Sequence, residues 1–414
     1  MKYVFSKYNV SIERNGDIFS FNTLSRALIR VAKDDFNVDN PFLRDKGFVV
    51  KDDEDLMTYK YYYLSRIFDN KNISLSVATT MACNLRCPYC FEEGNKSPEF
   101  MHDDVADTIV KYLISKKAHN ISITWFGGEP LMNFKEIERI SNSLKKNDVT
   151  FSASIITNGT LFTRGMIEKL DEYSIKSVQI TLDGKQAQHD TKRFFANGKG
   201  TYAKILENVS LLLQLSNVHV LLKVNLDKAN VSSYIELRNN INNLYTDYVK
   251  AGRLKILHNY VRNRTEFKGC GTCLSEEEYF NKFYEPQYAI NYLTNIAAPC
   301  PLRSCSDFAI GPDGSIYKCL EFLGNKDKAI GNMLTHNINI RKQASHALSY
   351  DPFNDEECCN CEIFPLCGGG CPIDRERASK EKKPNYCSVI KERIKQIIAD
   401  YLNGTDIEWE QTEL

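Results

Sequence analysis

The 414-residue chain has no surplus of charge, since 53 lysines and arginines balance 53 aspartates and glutamates. Without a net field, electrostatic capture of nucleic acid or of an anionic membrane surface is not expected. Long apolar runs are missing as well. The segment SLLLQL at 210–215 is typical of the longest, far short of the roughly 20 residues that cross a bilayer. The opening stretch, MKYVFSKYNVSIERNG, lacks the apolar core of a signal peptide. Cysteine is absent from the middle: none lies between Cys90 and Cys270, although the chain holds 14. A disulfide framework would have no reason to leave that gap. The expectation is a soluble, cytoplasmic protein whose thiols serve a metal or a reaction.

What is present is enough for one large catalytic domain and one or two smaller ones. The first 71 residues read as a small α+β module. Val10 and Ile12, then Ile18, Phe19 and Phe21, flank Asn15-Gly16, a two-residue hairpin signal. An amphipathic stretch over 24–31, read as a short helix, and a strand at Gly47–Val50 follow. From residue 72 strands and helices alternate. The strands are Ile73–Val77, Ile121–Phe126, Phe151–Ile156, Val178–Leu182, His219–Val224 and Leu254–His258. Helical spacing marks Asp103–Lys116, Phe134–Lys145, Arg164–Tyr173, Tyr202–Leu213 and Ser232–Leu244. Six β/α units in succession predict an α/β fold, a partial (β/α)6 barrel over 72–265, with its site at the C-terminal strand ends. Residues 266–414 form a cysteine-rich extension.

Every polar motif falls at such a strand end. After the first barrel strand comes Cys83-x3-Cys87-x2-Cys90, with Tyr89 and Phe91 around the last cysteine. Zinc takes four protein ligands, or three and water, whereas a cubane iron–sulfur cluster on three cysteines keeps one iron open. The second strand ends in Gly127-Gly128-Glu129-Pro130, the third in Thr157-Asn158-Gly159, and the fourth in Thr181-Leu182-Asp183-Gly184, with His189-Asp190 and Arg193 beyond. Asn225 ends the fifth. Singly, each of these suits a strand-end cap.

As an ordered set they resemble the radical S-adenosylmethionine (SAM) enzymes. The resemblance implies a [4Fe-4S] cluster on Cys83, Cys87 and Cys90, with Tyr89 beside it. It implies that Gly127, Gly128, Glu129 and Pro130 meet the amino group of SAM, that Gln179 or Thr181 lies near the ribose, and that Arg193 meets the carboxylate. Asn158, Asp183 and Asn225 complete the expected cofactor contacts. Reductive cleavage of SAM would yield a 5′-deoxyadenosyl radical that takes a hydrogen atom from the substrate, with electrons from a flavodoxin or ferredoxin.

The later cysteines run Cys358-x2-Cys361-x5-Cys367-x3-Cys371 and on to Cys387, with Cys300, Cys305 and Gly314-x4-Cys319 upstream. A zinc ribbon is one reading of two close cysteine pairs. The order also resembles the SPASM extension of radical SAM peptide modifiers, which implies two auxiliary [4Fe-4S] clusters and three in all. Carried over, Cys300, Cys305, Cys319 and Cys371 would hold the first, and Cys358, Cys361, Cys367 and Cys387 the second. That leaves Cys270, Cys273 and Cys359 without an assigned part.

Within that family two substrates fit: a ribosomally made precursor peptide, cross-linked through a thioether or carbon–carbon bond, or a sulfatase whose cysteine or serine becomes formylglycine. The N-terminal module resembles the leader-binding domain of peptide maturases, which captures its leader as an added strand. Sulfatase maturases carry a catalytic aspartate directly after the third auxiliary cysteine. Here Cys319 is followed by Leu320 and then Glu321, the candidate general base if that loop shifts. A non-catalytic iron–sulfur carrier or sensor is a third reading, but it would need no SAM motifs.

Overall fold

The computed structural model describes residues 2–52, 54–90, 92, 94, 97–261, 272–294, 300–348, 351–381 and 387–404, the side chains of 379–381 excepted. The chain divides into two compact units. One gathers Met1–Asp69, Glu276–Ser304 and Ala347–Leu414; the other is Asn70–Ser275 with Cys305–His346.

In the first unit β1 (Tyr3–Phe5) pairs antiparallel with β5 (Val49–Lys51), and β2 (Asn9–Arg14), β3 (Asp17–Asn22) and β4 (Leu28–Ala32) form an antiparallel meander. The β2–β3 turn is Asn15-Gly16 as expected, with φ of 55° and 84°. Two left-handed residues in sequence match the strands' twist. The stretch 24–31 is not a helix. Arg26 has φ 67°, the Asn22 carboxamide accepts from the Leu24 and Ser25 amides, and the chain turns into β4. A helix the sequence reading did not anticipate spans Glu54–Ile67 and buries Tyr59, Tyr63 and Ile67, four residues apart. Val10, Phe21 and Leu28 share one core with Phe280, Ala289, Leu293, Ile363, Leu366 and the Ile394, Ile397 and Ile398 stripe of the last helix.

The second unit is built on six parallel strands: β6 (Asn72–Thr80), β7 (Asn120–Gly127), β8 (Ser152–Thr157), β9 (Ile175–Thr181), β10 (His219–Leu226) and β11 (Leu254–Tyr260). Each neighbours the next in chain order, which is the expected partial barrel. The helix expected over 164–173 is shorter, Arg164–Glu168. Beyond β6 the sheet gains strands the sequence had not shown. β12 (Asp307–Ile310) runs parallel to β6, and β13 (Ser315–Tyr317), β14 (Gly331–Asn332) and β15 (Asn337–Ile338) follow antiparallel.

A parallel sheet buried on both faces reads as a continuous apolar run; these strands alternate instead. Leu75, Ile123, Ile155, Val178 and Leu222 are buried. The opposite face carries Ser76, Thr124, Ser154 and Ser177 in one register row, then Thr181 and Lys223 in another. This second face is polar because it borders the strand-end site.

Candidate active site

The loop after β6 carries Cys83, Cys87 and Cys90, all half-buried. Its entry is fixed by Thr80, whose hydroxyl donates to Glu99 O at 2.6 Å and accepts from the Ala82 amide. Cys90 N–H bonds to Cys87 O, closing the turn, and Arg86 N–H bonds to Phe194 O. Asn158, at the end of β8, donates to Asn84 Oδ1 at 2.8 Å and reaches Cys83 Sγ at 3.9 Å. Three thiols on one short turn, backed by amide donors, suit a cubane with one open iron. Phe91 lies outside the described residues. Among the described residues, no three His, Cys, Asp or Glu side chains form a group that could hold a metal ion.

The glycines at the end of β7 accommodate backbone. A Cβ at Gly127 would stand 2.2 Å from Thr80 O, and one at Gly128 would stand 2.3 Å from Ala82 O. They let β7 touch the segment that leads into the cysteine loop, a different reason for glycine than close approach to a ligand. Glu129 next to them is fully buried. Its carboxylate accepts from Leu131 N, from Thr157 Oγ1 at 2.6 Å and from Asn158 N at 2.7 Å. Burial pushes its proton affinity up, and these three donors oppose the push. Glu129 thereby ties the end of β7 to the end of β8. Pro130 opens the 3₁₀ turn that follows.

The end of β9 organises a second network. Asp183 is fully buried and accepts from Asn225 N at 3.0 Å and from the Tyr89 hydroxyl. Arg193 donates to Tyr89 Oη at 2.9 Å and lies 3.7 Å from Asp183. Burial raises the Asp183 proton affinity, against the pull of Arg193. His189, buried and neutral, accepts from Asp183 N–H on Nδ1, which leaves Nε2–H for Thr201 Oγ1 at 2.9 Å. Thr201 donates in turn to Arg193 O. This chain of bonds fixes the backbone from which Arg193 projects. The Arg193 side chain is only 12% exposed, yet its Nε has no hydrogen-bond partner among the described residues. A buried guanidinium with an unmatched donor beside a row of strand-end polar groups is suited to an anionic ligand.

Gln179, Thr181 and Asn225 occupy the polar face of β9 and β10, and Thr181 pairs in register with Lys223. Sequence reasoning missed Lys223, whose ammonium is half-buried and pushed down by that burial. The signal was there: Leu221, Lys223 and Asn225 alternate onto the face that carries the other site residues. Asn230 was missed as well. It is buried, and its amide bridges Asp183 O and Asn225 O.

In the first unit Cys358, Cys361, Cys367 and Cys387 line one cavity with Arg375, Gly369 and Lys391. The members of the other expected set divide, Cys300 and Cys371 belonging to one unit and Cys305 and Cys319 to the other. Glu321 sits half-buried in the 3₁₀ turn Leu320–Phe322 directly after Cys319. The Cys359 thiol is turned to Phe353 O and Pro352 O. Cys270 lies outside the described residues, and Cys273 is disulfide-bonded.

Residues 77–232 match the model of the Radical SAM superfamily, a span that takes in the cysteine loop and every strand-end residue from Tyr89 to Asn225. Those residues carry a radical SAM domain. A cysteine-type anaerobic sulfatase-maturating enzyme of Clostridium novyi is 26% identical over 76% of this chain and 90% of its own. The radical SAM cyclopropyl synthase TigE of Paramaledivibacter caminithermalis is 24% identical over 86% and 82%. Among solved structures, native anSMEcpe with bound AdoMet superposes with a TM-score of 0.59 at 21% identity, covering 80% of this chain and 100% of its own. Streptococcus suis SuiB bound to precursor peptide SuiA gives 0.50 at 13%, over 94% and 99%. Both share the fold of this chain. No helix among its described residues is long and apolar enough to cross a membrane.

Proposed function

We propose that this chain is a radical SAM peptide maturase that oxidatively cross-links a ribosomally synthesised precursor peptide through a thioether or carbon–carbon bond. The observation that carries the reading is how much of the chain each relative accounts for. The whole of anSMEcpe spans 80% of it, whereas SuiB, a protein seen with a precursor peptide, spans 94%. The surplus over a sulfatase maturase is expected to serve a leader. In this reading residues 1–71 capture it, with β4, an edge strand of its sheet, available for strand addition; residues 72–265 do the chemistry, and 266–414 hold the auxiliary clusters.

The bound cluster and SAM supply a 5′-deoxyadenosyl radical that removes a hydrogen atom from the substrate. The residues fit that pair. Cys83, Cys87 and Cys90 offer the thiolates, Arg193 offers an unmatched buried donor to the SAM carboxylate, and Glu129 and Asp183 keep the strand ends in place. A cross-link formed with net loss of two hydrogens would also release a proton and an electron, and Cys300/Cys305/Cys319/Cys371 and Cys358/Cys361/Cys367/Cys387 would hold the clusters that accept the electron. The reductant would be a flavodoxin or ferredoxin of the cytoplasm, with no nucleic-acid or membrane partner.

The test is anaerobic incubation of the reduced enzyme with SAM and the short peptide encoded beside its gene, followed by mass spectrometry of the peptide. Loss of two hydrogens with no other change is the expected result. The second reading, sulfatase maturation, rests on the named relatives and on Glu321 two residues after Cys319. Formylglycine on a sulfatase-derived peptide, with the precursor left unmodified, would replace the first reading by the second.

A further inference from the structure

Arg375 lines the four-cysteine cavity and hydrogen-bonds a cysteine sulfur. Its side chain is 7% exposed. Nη1 donates to Cys358 Sγ at 3.2 Å and to Gly369 O at 3.0 Å, and Nη2 is paired with the Asp355 carboxylate. Asp355 caps the short helix Glu356–Cys359, accepting from Glu357 N at 2.9 Å and Cys358 N at 3.2 Å. Asp355 and Arg375 therefore hold the first cysteine of the set from two sides. Gly369 is needed where it is, since a Cβ there would stand 2.3 Å from Pro352 Cβ.

The potential of a thiolate-bound iron–sulfur cluster is set by net charge, hydrogen bonds to sulfur and exposure. A buried cation donating to a ligand sulfur stabilises the reduced, more negative state and so raises the potential. In a site removed from water such a charge is weakly screened.

We propose that Arg375 is a positioning residue that raises the reduction potential of the cluster at Cys358, Cys361, Cys367 and Cys387, making it an electron acceptor, and that Asp355 sets how much of that charge is felt. The inference rests on the auxiliary-cluster assignment made above. It differs from a purely structural clamp in sign. Removing the cation lowers the potential, while removing the carboxylate raises it.

The experiment uses the full chain, reconstituted anaerobically in a Cys83→Ala/Cys87→Ala/Cys90→Ala background so that only auxiliary iron is read. Iron per chain and an EPR-monitored redox titration are measured for the parent and for Arg375→Gln, Arg375→Lys and Asp355→Asn. Asparagine remains a good helix cap, so the last variant keeps the fold of the turn. The expected result is equal iron in all four, a midpoint more negative than the parent in Arg375→Gln, most of that shift recovered in Arg375→Lys, and a more positive midpoint in Asp355→Asn. An unshifted midpoint in Arg375→Gln at full iron content overturns the proposal. So does equal loss of iron from both arginine variants with Asp355→Asn unshifted. Parental iron content in Cys358→Ala would instead remove the cluster assignment itself, and the inference with it.

Discussion

Gly128 and Glu129 show how tightly single residues set the site. A methyl group at Gly128 has no room against the Ala82 carbonyl, so Gly128→Ala must displace the entry to the cysteine loop. Overpacking of this kind costs roughly 1–3 kcal/mol. The expected outcome is a lowered unfolding midpoint and loss of SAM cleavage, measured as 5′-deoxyadenosine. Gly165→Ala is the control, since nothing lies within 4 Å of its added Cβ, and it should leave both readouts unchanged. Cys83→Ala, Cys87→Ala and Cys90→Ala should each abolish 5′-deoxyadenosine formation while leaving the fold and the auxiliary iron. Cleavage persisting in any one of them would sink the assignment of the loop. His189 gives a pH signature. Its folded value is pushed down to about 3 by burial, with Arg193 adding to the shift, against about 6.5 in an unfolded chain. The unfolded state therefore binds the extra proton first. The stability that a neutral His189 contributes is fully present above about pH 6.5 and lost as pH falls toward 3. The loss is roughly 3 kcal/mol between pH 7 and 4. Glu129 and Asp183 work in the opposite sense, because burial raises their proton affinities. A His189→Gln variant should thus unfold with a shallower acid-side slope than the parent in urea titrations at stepped pH.

At the scale of elements, the parallel strands were legible because their apolar residues alternate cleanly, and the helices between them because theirs recur every three to four residues. The hairpin at Asn15-Gly16 was legible from its turn chemistry. Replacing Gly16 by Ala forces a Cβ onto a residue at φ 84° and should cost about 1–2 kcal/mol, seen as a lower urea midpoint. The rest failed for identifiable reasons. The amphipathic pattern over 24–31 belongs to a turn and a strand, because Asn22 captures two backbone amides and Arg26 turns left-handed. The Glu54–Ile67 helix hides its buried stripe in tyrosines, with Tyr61 and Tyr62 largely exposed beside buried Tyr59 and Tyr63. β12 to β15 are two to four residues long, too short for periodicity to register. Of the site, cysteine spacing and strand-end polar groups were readable from order alone. What Gly127 and Gly128 make room for was not, because it depends on which backbone crosses them.

For the whole molecule, the core shared by Val10, Phe21 and Leu28 with residues from 280 to 398 changes what a truncation tests. Deleting residues 1–69 would remove more than the proposed leader-binding module. It uncovers that core, and the expected outcome is a chain that aggregates or loses iron from the Cys358–Cys387 cavity, measured by light scattering and iron content. Substitutions on the exposed edge of β4 are the cleaner probe of peptide capture. The same architecture has a consequence for biogenesis. The Thr23 hydroxyl bonds to Glu362 O, a partner 339 positions further on. At roughly 5–20 residues per second of synthesis, the β2–β3–β4 meander waits on the order of 20–70 s with its apolar face uncovered. The Cys83–Cys90 loop is synthesised early in that interval, and Cys387, the last cysteine lining the four-cysteine cavity, long after it. The two sets of cysteines are therefore completed at different times, and a nascent chain stalled before residue 358 should be a client of holding chaperones with its Cys83–Cys90 loop already exposed.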